Sequence, residues 1–217
     1  MPLIKPLDVS FGAVVTDIRI ADMDEAEWRV VEDAFHEHAA LVFPDQHLSE
    51  EEQISFGERF GDIELLRPDP SKKAVPISNL KEDGSPYAPG EGRFKTLRGN
   101  EGWHTDSSYM PLAAKASILA AIKVPSTGGE TELADMRDAY DKLDADMVDR
   151  IDGLSAYHSL YQSQKKNGFT FKTGDGYGYH TKGAPLRPLI KVHPITGRKS
   201  LFIGRHAYEI PGMPHDE

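Results

Sequence analysis

The chain reads as mainly β with appended helices, in the manner of a jelly-roll type β-sandwich, and three observations predict that class. Short runs rich in β-branched and aromatic residues outnumber helical stretches and are separated by turns bearing Gly and Pro. Helical periodicity is confined to the first third of the chain and to residues 135 to 152. Regular alternation of strand and helix is missing, and no Gly-rich phosphate loop follows a strand, so a doubly wound parallel sheet fits less well.

Residues 9 to 20 (VSFGAVVTDIRI) predict one or two strands. Asp24, with Glu27 three residues on, marks a capped helix start, and Trp28, Val31, Phe35 and Ala39 follow at helical spacing. His36 and His38 lie on or near that helix and read as surface or boundary residues. Ala40 to Phe43 predicts a short buried strand stopped by Pro44. Ser49 with Glu52 opens a second helix through Ile54, Phe56 and Phe60, which Gly61 ends. Residues 63 to 66 and 75 to 80 read as short strands, and residues 81 to 102, rich in Gly and Pro, as a long loop.

Ala116 to Val124 (ASILAAIKV) is the most apolar stretch and predicts a central strand, followed by a turn at 125 to 129 and a strand at 130 to 133. Asp135 and Asp144 each cap a helix. Residues 155 to 161 predict a strand, 163 to 186 a mobile excursion or lid, and 187 to 193 with 199 to 203 a hairpin around Pro194 to Gly197.

The composition narrows the function. With 217 residues, 39% hydrophobic and 28% charged, the chain is most simply one globular domain. A net charge of −10 argues against nucleic acid or an anionic membrane as the main partner, so any anionic substrate needs a local Arg or Lys. The absence of cysteine excludes thiolate metal sites, disulfides and thiol nucleophiles. No apolar run reaches membrane-span length and the N-terminus lacks an apolar leader core, which gives a cytoplasmic location as the default.

Against this background, Asn100-Glu101-Gly102-Trp103-His104-Thr105-Asp106 stands out. Side chains two apart on an extended strand share a face, so His104 and Asp106 can grip one cation, as two ligands of a facial triad for non-haem Fe(II). Chance placement of nine histidines among 35 acidic residues yields about 1.5 such triplets, and His215-x-Glu217 is a second one. Spacing alone therefore suits an ordinary surface pair equally well.

More of the chain carries a resemblance. Trp103-His104-Thr105-Asp106 and Pro125-Ser126-Thr127-Gly128-Gly129-Glu130-Thr131 resemble segments of the taurine dioxygenase and 2,4-dichlorophenoxyacetate dioxygenase (TauD/TfdA) family. So do Glu58-Arg59-Phe60-Gly61, Asp135-Met136-Arg137-x-Ala139-Tyr140 and His193-Pro194-x-x-Gly197-Arg198-Lys199, in the right order, and the phenoxyalkanoate branch is the nearer one. The resemblance implies a double-stranded β-helix (cupin-like jelly roll) and an enzyme using Fe(II), 2-oxoglutarate and O2. It implies hydroxylation of a small anionic substrate, phenoxyalkanoate-like or sulfonate-like, with succinate and CO2 as co-products. It further implies His104 and Asp106 as iron ligands, Thr131 as a hydrogen-bond partner of 2-oxoglutarate, and Asn100 as a lining residue of the substrate pocket.

One departure accompanies the match. The family's third ligand, a His with an Arg after it that binds 2-oxoglutarate, is expected beyond Glu217, so residues 1 to 217 read as one dioxygenase domain lacking its C-terminal strands. His193 with Arg205 mimics the spacing but belongs to the upstream hairpin. Arg67, Arg93, Arg98 and Arg187 are candidate captors of the substrate anion. Two other readings are a non-catalytic fragment or binding module and a non-redox cupin-like metalloenzyme; homo-oligomerisation is left open.

Overall fold

β1 (Leu3–Pro6) and β2 (Ala13–Thr16) pair antiparallel through a turn closed by Leu7 N–H donating to the Gly12 carbonyl at 3.0 Å. β2 then pairs in parallel with β3 (Leu41–Val42), a connection that needs a crossover, and α1 (Glu25–His38) provides it. The remaining elements are α2 (Glu50–Glu58), α3 (Gly92–Gly99), α4 (Met136–Asp141), α5 (Ala145–Ile151), β4 (Ser155–His158), α6 (Leu160–Lys166), β5 (Leu186–Pro188), β6 (Ile190–Val192), β7 (Lys199–Leu201) and β8 (Ala207–Glu209). This computed structural model describes residues 1–65, 71, 73–174 and 177–214. The chain divides into two compact units, one of residues 1–63, 116–150 and 190–201, the other of 64–115, 151–189 and 202 onward. No helix among the described residues is long and apolar enough to cross a membrane.

The first unit is built on an aromatic core. Both capping boxes form: Glu27 N–H donates to Asp24 Oδ1 at 2.9 Å, and Glu52 N–H to Ser49 Oγ at 3.2 Å. With its start secured, α1 turns Trp28 and Val31 onto Val15, Ile20 and Phe56. Trp28 meets Phe60 edge-on at 4.9 Å between ring centroids, and Phe56 meets Phe43 the same way at 5.6 Å. Arg59 lies over the Trp28 ring at 4.9 Å while pairing with Glu25 at 2.7 Å, closing the outer side of that cluster. The predicted hairpin is present as β6 and β7, with Ile190 opposite Leu201.

The second unit holds the antiparallel sheet β5-β4-β8, in which Ala156 is opposite Arg187 and Tyr157 opposite Glu209. α6 follows β4 directly, because Ser159 accepts from Gln162 N–H at 3.3 Å and caps it. The expected excursion from 163 to 186 therefore begins as a helix. α3 likewise forms within the stretch read as a loop from 81 to 102, its residues Gly92 to Gly99 having no apolar stripe strong enough to signal it.

Two expected strands lack a ladder. Residues 116 to 124 and 130 to 133 have strand composition, yet no strand pairs with them among the described residues, and Leu119, Ile122 and Val124 stand 64%, 92% and 71% exposed. Composition selects residues that suit a pleated surface, but a strand exists only where another backbone offers its hydrogen bonds. The stretch 75 to 80 contributes a single bridge, Leu80 to Pro86. The predicted strand at 63 to 66 ends on a residue outside those described; 63 to 65 are irregular.

Removing the first cap tests the role of α1. Asp24→Ala leaves the Glu27 backbone N–H without its side-chain partner and should lower the urea-unfolding free energy by ~1 kcal/mol; a change below ~0.3 kcal/mol would show that this cap contributes nothing to the fold.

Candidate functional site

The candidate residues near His104 lie in the second unit, on the chain between α3 and the turn after Asp106. α3 closes at Gly99, whose carbonyl accepts from Gln164 and Asn167 side chains, both at 3.5 Å, and Asn100 is its C-cap. From there the backbone runs irregularly to His104, in place of the expected strand, and reverses at residues 106 to 109. The reversal holds Ser107 at φ 54°, a left-handed conformation uncommon outside glycine. Its buried hydroxyl donates to Glu64 Oε2 at 2.8 Å and accepts from the Tyr177 phenol at 2.6 Å, a phenol that burial pushes well above its ordinary pKa. Arg187 binds the outer side of the same turn, Nε donating to the Ser108 carbonyl at 3.2 Å and Nη2 to those of Met110 at 2.5 Å and Pro111 at 3.3 Å.

That frame aims one imidazole at one carboxylate. His104 Nδ1 lies 2.7 Å from the Gly102 carbonyl, which can only accept, so Nδ1 carries the hydrogen and Nε2 faces Asp106 Oδ1 at 3.1 Å. Two lone-pair groups this close require a proton or a metal cation between them. In keeping with this, the hydrogen bond to Asp106 raises the His104 pKa, with burial opposing it. Asp106 is 57% exposed, so one side of the pair is open. The donors, one imidazole nitrogen and one carboxylate oxygen with the second imidazole nitrogen anchored, suit two ligands of a facial Fe(II) site. Among the described residues, no third His, Cys, Asp or Glu joins them.

Residues 202 to 206 run against this motif. At Gly204 (φ 152°) an added Cβ would stand 3.2 Å from both His104 Cα and the Trp103 carbonyl oxygen, so only glycine permits this approach. Arg205 N–H donates to that Trp103 carbonyl at 3.0 Å, and its Nη2 donates to Asn100 Oδ1 at 2.8 Å. His206 is buried, with Nδ1 2.9 Å from Ser163 Oγ and its ring 5.5 Å from that of His104. Desolvation, then the Arg205 charge, lowers its pKa to about 3. His158 is 2% exposed, its Nδ1 3.0 Å from Ser108 Oγ and its ring stacked on Phe202; desolvation and then Arg187 lower it to about 4.

The second unit thus brings His104, Asp106 and Asn100 together, the last through Arg205. Thr131 belongs to the first unit, exposed beside an apolar groove of about 240 Å³ with Leu7, Val9, Phe11, Val42 and Leu133. Of the arginines expected to capture an anion, Arg93 donates to the Pro76 carbonyl at 2.7 Å, Arg98 pairs with Glu101 at 2.9 Å, and Arg187 is committed to the turn. Arg67, His215 and Glu217 lie outside the described residues. His193 is in the first unit, where Nδ1 accepts from Ile195 and Thr196 N–H groups within its turn. Sequence reasoning weighed Arg205 and His206 only as imitations of the family's third ligand and its Arg, and passed over His158; Gly204-Arg205-His206 directly after an apolar strand was the signal for placing the first two beside the motif.

The profile of the taurine catabolism dioxygenase TauD, TfdA family matches residues 3–217. The chain belongs to that family. It is 50% identical over 216 residues to the (S)-phenoxypropionate/alpha-ketoglutarate-dioxygenase of Sphingobium herbicidovorans, covering 97% of this chain and 73% of the relative. Identity to the alpha-ketoglutarate-dependent 2,4-dichlorophenoxyacetate dioxygenase of Cupriavidus pinatubonensis is 37% over 223 residues, with 97% and 76% covered. The crystal structure of AAD-2 in complex with Mn(II) and N-oxalylglycine superposes with a TM-score of 0.84 at 35% identity, covering all of this chain and 76% of that one. The expected TauD/TfdA membership, its phenoxyalkanoate branch, the jelly-roll fold and the assignment as a dioxygenase are thereby borne out.

The buried His158 has a consequence for stability. Its folded pKa of about 4 lies below the ordinary 6.5, so from pH 6.5 downward the unfolded chain takes up a proton that the folded one refuses, and stability falls until pH nears 4. Urea unfolding at pH 7.5 and pH 5 should show wild type losing ~2 kcal/mol more than His158→Gln over that interval; equal losses would mean His158 is free to ionise in the folded protein.

Proposed function

We propose that this TauD/TfdA dioxygenase is Fe(II)- and 2-oxoglutarate-dependent and hydroxylates a small phenoxyalkanoic acid, in the cytoplasm. The observation that carries the reading is the 3.1 Å approach of His104 Nε2 to Asp106 Oδ1 with Nδ1 anchored on Gly102. An imidazole and a carboxylate prearranged on one open-sided spot favour a divalent cation of the Fe(II) type over a soft one. The similarity to a phenoxypropionate dioxygenase at 50% identity, and to a fold solved with Mn(II) and N-oxalylglycine, supports the same choice of metal and co-substrate. The two units are taken as parts of one dioxygenase domain, since the family profile runs through both.

In this reading His104 and Asp106 hold the iron, Thr131 donates its hydroxyl hydrogen to a carboxylate of 2-oxoglutarate, and Asn100 serves the acid substrate. Iron with 2-oxoglutarate and O2 supplies the oxidant for a substrate C–H bond, with succinate and carbon dioxide as co-products. The protein's own residues do the positioning: Gly102 sets the His104 tautomer, Ser107 and Arg187 keep Asp106 at the head of a tied turn, and Gly204 lets the 202 to 206 segment close over the motif.

Asp106→Ala removes the carboxylate that faces His104 Nε2. Phenoxypropionate-dependent succinate formation should fall by at least about 100-fold, and calorimetric Fe(II) binding should weaken in parallel; retention of both would withdraw the metal assignment. Thr131→Val should raise the 2-oxoglutarate concentration needed for half-maximal turnover about 10-fold or more while leaving Fe(II) affinity alone, and an unchanged requirement would take Thr131 out of the site.

A further inference from the structure

Ser107, directly after Asp106, is held from two distant parts of the chain. Its hydroxyl has one hydrogen, which goes to Glu64 Oε2 at 2.8 Å, so in the 2.6 Å approach of the Tyr177 phenol it is Tyr177 that donates. The donors therefore run one way, from Tyr177 to Ser107 to the Glu64 carboxylate. Ser107 is buried at φ 54°, where its carbonyl accepts from Met110 N–H at 2.9 Å and closes the reversal. A serine keeps a left-handed backbone only where its surroundings over-determine it. Returning that one residue to an ordinary conformation would redirect the chain on either side of it, and with it the aim of Asp106 at His104 Nε2.

The residues after Tyr177 fall on the same reversal. Its ring meets that of Tyr109 at 5.9 Å between centroids. Gly178 (φ 84°) faces the Tyr109 ring so closely that an added Cβ would stand 2.5 Å from Cε2 and 2.7 Å from Leu160 Cδ2, which shuts out any side chain. His180 Nε2 lies 3.2 Å from the Tyr109 carbonyl, which can only accept, and His180 Nδ1 accepts from Lys182 N–H at 3.2 Å, so the ring donates to the turn in one fixed tautomer. Tyr177, Gly178 and His180 thus lie along the 107 to 109 turn, and the phenol of the first reaches the hydroxyl beside Asp106.

We propose that Tyr177 is a positioning residue for Asp106: through its hydrogen bond to Ser107 it holds the left-handed turn that keeps the carboxylate in place for the metal. The proposal deepens the function given above and rests on it, since Asp106 is a ligand only in that reading. In this role Tyr177 touches neither metal nor substrate. A phenol suits the task, because the ring is fixed by its neighbours and the hydroxyl is carried at its far end. A cation gains affinity from a ligand already in position, since binding then has less to order. Tyr161 provides the comparison: its hydroxyl bonds the Thr173 hydroxyl at 3.1 Å and the His180 carbonyl at 3.5 Å, both outside residues 106 to 109.

Tyr177→Phe, Ser107→Ala, the double variant and Tyr161→Phe are made in the whole chain and compared at a temperature where thermal unfolding shows each to be folded. Fe(II) alone is titrated calorimetrically without O2. Tyr177→Phe and Ser107→Ala should each bind it about 10-fold more weakly. The double variant should bind no more weakly than Ser107→Ala, because both changes remove one interaction. Tyr161→Phe should bind as wild type does. With Co(II) alone as the probe, the ligand-field absorption bands should shift in Tyr177→Phe and stay unchanged in Tyr161→Phe, which reports geometry at the ligand rather than stability. Equal Fe(II) affinity of wild type and Tyr177→Phe overturns the proposal and leaves the dioxygenase reading standing. Additive losses in the double variant overturn it too, since Tyr177 would then act other than through Ser107. An equal loss in Tyr161→Phe overturns it as general loosening of the fold. A wild type that binds no Fe(II) overturns both this proposal and the reading beneath it.

Discussion

The 2.7 Å hydrogen bond from His104 Nδ1 to the Gly102 carbonyl is the constraint on which the site depends. It settles the tautomer of a ring that could otherwise present either nitrogen, and it turns the lone pair of Nε2 toward Asp106. Everything around serves to keep that geometry. Ser107 holds a left-handed backbone through two side-chain hydrogen bonds, Arg187 ties three carbonyls of the turn, and Gly204 lets a second chain segment approach without a clash. The candidate motif is therefore irregular backbone held by side-chain hydrogen bonds rather than by a β ladder.

Electrostatics in the second unit are arranged by burial more than by pairing. Burial disfavours a proton on His158 and on His206, and each sets Nδ1 against a serine hydroxyl. His104 differs only in having a carboxylate in front of it and solvent on one side, and its basicity moves the opposite way. Of the histidines in this unit, His158 and His206 are sunk in the fold, whereas His104 stands at an open-sided pair with Asp106.

The capping boxes at Asp24 and Ser49, the aromatic stripe of α1 and the 190 to 201 hairpin were legible because each is a local signal: a cap, a period, or a turn with Gly. The His104-x-Asp106 pair was legible as two ligand-type residues, but the reason first offered, a shared strand face, was not the one that operates. They meet because a turn bends Asp106 back under the ring. α3 and α6 escaped notice, the former for want of an apolar stripe, the latter because its cap, Ser159, lies inside what reads as a continuing strand.

By itself the sequence determined the residue types able to bind a hard cation, the exclusion of sulfur ligands, the helix starts and the family. Those depend on composition, spacing and ordered motifs, all of which are properties of the chain read along its length. Tertiary structure alone decided which histidines are buried, and it placed Asn100 against Arg205 across 105 residues of chain. Hydrogen-bond satisfaction and desolvation are sums over neighbours in space, and no local pattern of residues carries that information.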